Sequence, residues 1–202
     1  MNANVELPTR PLALFALAVT GVFTCGAIGA LTNAVNGAVS PQYFIANMGW
    51  QGVEDVWRAS ISRGIFEGLL FGVGFSLVFT VGVGLITRAG CTYGFAARHL
   101  TGIVAGALVC WVLGGVAALV LAAISPEFYR QTFNGVPQDF GGTLCYAWVG
   151  GSIWGVELGG FACTVIGLVV LRANWQRRAP SVDTDDTPDL ERVADPFAIK
   201  AR

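Results

Sequence analysis

The chain has 202 residues, 54% of them hydrophobic and only 12% charged, with 27 glycines and a formal charge of −1. Soluble domains carry about twice that share of charge, and a near-neutral chain without a basic stripe excludes nucleic acid as a partner. The apolar residues gather into four runs, near 12–31, 64–86, 100–124 and 147–171, each meeting the ~20 residues needed to cross a hydrocarbon core of ~30 Å. Short alternating runs, the mark of a membrane barrel, are absent. The expected fold is therefore all-α: an integral membrane protein of four transmembrane helices in contact with the lipid bilayer.

The first ten residues, MNANVELPTR, hold one Arg and one Glu, which is weak for the positive start of a signal peptide. The run that follows is also longer than the 7–15 apolar residues of a signal core. It is expected to stay as the first helix. The loop after it contains MGWQGVEDVWRASISRG, where Trp50, Val53 and Trp57 share a helical stripe. That spacing suits a short helix lying in the interface, with Glu54 and Arg58 as an i,i+4 pair, or a helical leader into the second span.

The second span carries Gly64, Gly68 and Gly72, and the fourth carries Gly151, Gly155 and Gly159. Glycines at i, i+4 and i+8 form a smooth stripe where another helix backbone can approach closely. These six are the expected helix-packing residues. The third span adds Gly102 and Gly106, with His99 at its edge.

Spans one and three end alike, in GAVSPQYF at 37–44 and AAISPEFY at 122–129. As a duplication, this makes two parallel two-helix repeats, an arrangement found in some transporters. As a local effect, Pro ends each helix and aromatics belong at that depth. Both readings stand at this point. Tyr43, Phe44, Phe128, Tyr129, Trp148 and Trp175 are expected as interfacial anchors, and Trp111 as core.

The fourth run contains GSIWGVELGGF at 151–161, with Glu157 close to the run's midpoint. An acidic group there costs roughly 2.5–3.5 kcal/mol on insertion scales, so it is a functional hypothesis by default. Its cross-helix hydrogen-bond candidates are Ser76, Thr80 and Thr101. Glu67 is the second intramembrane carboxylate, with Arg63 one turn earlier as an ion-pair partner. Run midpoints put Glu67 and Glu157 about 9 Å apart in depth, which argues against a symmetric pair. Asn33 and Asn36 end span one, where an outward polar vestibule could include them. Glu157, Glu67, Asn33 and Asn36 form the candidate ion or proton site.

The five cysteines form no CxxC pair and His99 is the only histidine, so no metal site, cofactor or nucleophile–base pair is expected. An intramembrane enzyme ranks last. Arg10, Arg88, Arg98, Arg172, Arg177 and Arg178 lie on one side of the predicted spans, against Arg58, Arg63 and Arg130 on the other. The asymmetry predicts both termini in the cytoplasm of a bacterial-type cell, with the chain in its inner membrane. Residues 1–172 would form the transmembrane domain. Residues 173–202, acidic and poor in large apolar groups, would form a disordered tail. Two functions are expected: an assembly or scaffold subunit that packs onto membrane partners or onto itself, or a small protein passing protons or cations past Glu157.

Overall fold

The computed structural model describes residues 10–178, the side chain of Arg10 excepted. Every element among them is a helix: α1 Arg10–Val39, α2 Pro41–Met48, α3 Val56–Thr87, α4 Tyr93–Ile124, α5 Pro126–Thr132 and α6 Phe140–Gln176. α1, α3, α4 and α6 are long and apolar enough to cross a membrane, so this is a multi-pass membrane fold.

These four helices extend beyond the apolar runs, and at the starts of α3 and α6 local capping sets the boundary. Asp55 caps α3 by accepting from the backbone N–H of Arg58. Asp139 caps α6 the same way through Gly142 N–H. In each case a carboxylate satisfies an orphan donor at the positive end of a helix. At the far end α6 continues to Gln176, so residues 173–176, expected in the tail, are helical. The rest of the expected tail, from 179 onward, lies outside the described residues.

The stripe of Trp50, Val53 and Trp57 does not share a helix. Gly49, at φ 68°, terminates α2 in the left-handed conformation that suits glycine. Trp50 and Val53 then lie in the connection, while Trp57 opens α3 and donates from Nε1 to the Ala34 carbonyl. Arg58 pairs with Asp55 rather than Glu54, because Glu54 lies before the helix cap.

The two halves of the chain follow one plan. A long helix ends at a Ser-Pro, and the Pro starts a short helix at its first position, where its missing N–H costs nothing. An Asp-capped long helix then returns. Gly21, Cys25, Gly29, Ser40 and Pro41 recur with the same spacing as Gly106, Cys110, Gly114, Ser125 and Pro126. Likewise Gly64, Gly68, Gly72 and Ser76 recur as Gly151, Gly155, Gly159 and Cys163.

The packing obeys this register. A Cβ on Gly68 would fall 2.4 Å from the Cys25 carbonyl oxygen, and one on Gly155 2.4 Å from that of Cys110. A Cβ on Gly29 would meet the Gly64 backbone, and one on Gly114 the backbones of Gly151 and Gly155. Thus α1 lies against α3, and α4 against α6, with backbone on backbone.

Contacts between the halves are sparser and are concentrated at two levels. Toward the end where α1 begins and α6 finishes, Leu17, Phe79, Val83, Phe95, Leu100, Ile103 and Leu171 make one buried apolar cluster. At the other end, Ala122, Tyr129, Val136, Tyr146 and Ala147 make a second, with Tyr43 and Ala46 of α2 packed on it. Several expected anchors are therefore core. Phe44 and Tyr129 are buried, Trp175 packs on Phe95, and Trp148 meets Trp111 edge to face.

Candidate functional site: a polar cluster around the α3–α6 seam

Asn36 is an enclosed polar side chain between the halves. It is fully buried, and its Oδ1 accepts from Ser152 Oγ at 3.1 Å, tying α1 to α6. Its Nδ2 has no hydrogen-bond partner among the described residues. Asn33 is also buried, its Cβ set where a Cβ on Gly64 would strike it. Neither residue lines an open vestibule, contrary to the sequence expectation. Both lie on the α1 face that closes onto α3 and α6, a placement that needs the helix register and not depth alone.

Above them α2 is held across the halves. Tyr146 Oη accepts from Asn47 Nδ2 and donates to the Asn134 carbonyl, each at 2.7 Å. Gly135 gives α2 room, since a Cβ there would strike Ala46. Tyr43 stacks at a tilt on Tyr146, with ring centroids 5.0 Å apart. Burial is the main cause that pushes the Tyr43 phenol up to about 12; the Tyr146 and Tyr129 phenols and the Glu157 carboxylate add to it, and Arg63 opposes them. Tyr43, Arg63 and Glu157 therefore share one electrostatic neighbourhood.

Glu67 belongs to it through Arg63, whose Nη2 donates to Glu67 Oε1 one turn later. Both side chains are about one-third exposed. Glu67 and Glu157 lie within electrostatic reach of one another. By the repeat register, which matches Gly64 to Gly151, Glu67 and Glu157 differ by three helical positions, or about 4.5 Å of rise.

Glu157 itself is exposed. Its flank of α6 continues into Trp154, Leu158 and Phe161, which are 61%, 65% and 73% exposed. Ser76, Thr80 and Thr101 do not bond to it. The two threonine hydroxyls return to their own helix, to the carbonyls of Ser76 and Ala97, and Ser76 Oγ is buried without a partner among the described residues. The hydroxyls were chosen by depth, whereas their direction is set by the helix phase.

His99 is engaged locally. Its Nδ1 lies 2.9 Å from the Phe95 carbonyl, which fixes that nitrogen as a donor, and its Nε2 then accepts from Asn174 Nδ2 at 3.2 Å. No cluster of three metal-ligating side chains occurs among the described residues. Comparison with protein-family models, curated proteins and solved structures finds no match.

Proposed function

We propose that this chain is an assembly subunit of a membrane complex, with both termini in the cytoplasm of a bacterial-type cell and its helices in the inner membrane. The supporting observation is Glu157. It is exposed among large apolar side chains midway along a spanning helix and makes no hydrogen bond or ion pair among the described residues. Leaving a carboxyl group against lipid costs roughly 2.5–3.5 kcal/mol, and a donor on a partner helix removes that cost. The glycine seams keep each half rigid enough to present this flank, since backbones in contact leave no side chains to rearrange.

The test is co-purification with the wild-type chain as bait. Glu157→Gln keeps a hydrogen-bonding group and is expected to retain the partner; Glu157→Leu is expected to lose it. Retention of the same partner by both variants would overturn the proposal.

A second reading is supported by the grouping of Arg63 and Glu67 on α3 with Glu157 on α6, beside Tyr43 of α2. A titratable pair beside a seam suits passage of protons or cations. In that case Glu157→Gln abolishes flux in liposomes, because the titratable group has gone while the hydrogen bond survives.

A further inference from the structure

We propose that the groove between α4 and α6, at the end where α6 finishes, binds one anionic phospholipid. Its phosphate would lie at Arg98 and Arg178, and an acyl chain would run along Gly102, Gly106 and Gly167. The groove encloses about 770 Å³, and its lining changes character along its length. The mouth holds Arg98, Arg177 and Arg178, with a smaller hollow of about 280 Å³ bounded by Thr92, Gly94, Phe95, Arg98 and Arg178 beside it. The depth holds Ile103, Ile166 and Val170 around the glycines. A basic mouth on an apolar slot matches an anionic headgroup on an alkyl chain, and basic pockets between spanning helices are known lipid-headgroup sites.

The charge at the mouth has no partner in the described chain. The three ion pairs there, Arg58–Asp55, Arg63–Glu67 and Arg130–Glu127, all lie toward the opposite end. Arg178 is nonetheless positioned, its guanidinium 4.5 Å above the Phe95 ring. Because His99 already spends both ring nitrogens on Phe95 and Asn174, the arginines remain to meet a phosphate.

The slot belongs to the second half alone. Gly102 has open space where its Cβ would point, whereas its counterpart by register, Leu17, is a buried leucine in the apolar cluster. From Arg98 to Gly106 the slot runs about 12 Å along α4, well into the hydrocarbon. Its outer wall, Ile166 and Val170, is 61% and 46% exposed, so a lipid can enter sideways from the bilayer.

The experiment is native mass spectrometry of the full chain in mild detergent, with phosphatidylglycerol and phosphatidylcholine added in equal amounts. The wild type is expected to retain one phosphatidylglycerol and little phosphatidylcholine. Arg98→Gln with Arg178→Gln should reduce the lipid-bound fraction at least tenfold. Gly102→Leu, which fills the slot and keeps the arginines, should do the same. Equal retention of both lipids, no retained lipid, or full retention by the arginine double variant would overturn the proposal. So would unchanged binding by a folded Gly102→Leu chain, because charge alone would then explain the binding.

Discussion

Replacing Gly68 by Ala adds one methyl group where the structure leaves no space for it. Its Cβ would stand 2.4 Å from the Cys25 carbonyl oxygen and 3.0 Å from Gly26 Cα, while ordinary contact begins at 3.4 Å. Neither obstacle is a flexible side-chain end, so α1 and α3 must separate by about 1 Å. Gly64 and Gly72 lie on the same seam, and their close contacts open with it. A gap of about 1 Å forfeits a quarter to a half of each contact's ~0.1–0.2 kcal/mol. Over the atoms of the seam, the loss is on the order of 1–3 kcal/mol, in the range of overpacked cores. Gly74, six residues along the same helix, is the control: a Cβ there meets nothing within 4 Å. Gly74→Ala should be neutral or gain up to about 1 kcal/mol of helix propensity. Thermal unfolding of both full-length variants in one detergent reads the contrast, with Gly68→Ala expected roughly 2–10 °C below Gly74→Ala. Equal midpoints would refute the claim that backbone contact determines this seam.

In the second half, Gly155→Ala should repeat the Gly68→Ala loss, because its Cβ is as close to the Cys110 carbonyl oxygen; a variant as stable as the wild type would break the equivalence of the halves. A double-mutant cycle of Asn36→Ala and Ser152→Ala should give a coupling of about 0.6 kcal/mol, typical of interhelical hydrogen bonds in membranes; strictly additive losses would remove that tie. Tyr146→Phe should speed amide exchange over residues 41–48, since Asn47 and Asn134 lose the phenol that joins them; unchanged exchange would mean that apolar contact alone docks α2. Tyr43 ionises near 12, above its ordinary value of 10. Its raised value contributes stability that is full below pH 10 and lost as the pH rises through about 12. Ultraviolet titration should show the Tyr43→Phe chain lacking one late-ionising phenol, and a missing early one would contradict the assignment.

The four spans could be read from sequence because a hydrocarbon core imposes runs of fixed length, and such runs do not depend on tertiary context. Their ends could not, because Asp55 and Asp139 cap α3 and α6 outside the apolar windows. The SPQYF and SPEFY segments gave the place where α1 and α4 stop. They concealed α2 and α5, since the Pro that ends one helix also begins the next. The register of Gly21, Cys25 and Gly29 on Gly106, Cys110 and Gly114 is written in the sequence, yet it gains meaning only when carbonyls are found against the glycines of the returning helix. Depth alone misplaced Asn33, Asn36 and the hydroxyls near Glu157, because depth is set by position along a helix and partnership by rotation about it. The arginines at the mouth of the α4–α6 groove served the sequence argument as topology signals. Their convergence with Gly102 and Gly106 needed the two helices side by side.

The central claim, that the Glu157 flank of α6 is covered by another subunit, is tested most directly by the mass and composition of the complex extracted from native membranes in mild detergent. The account predicts a stoichiometric foreign subunit, retained by Glu157→Gln and lost from Glu157→Leu. A lone chain or a homo-oligomer of unchanged mass in both variants would contradict it.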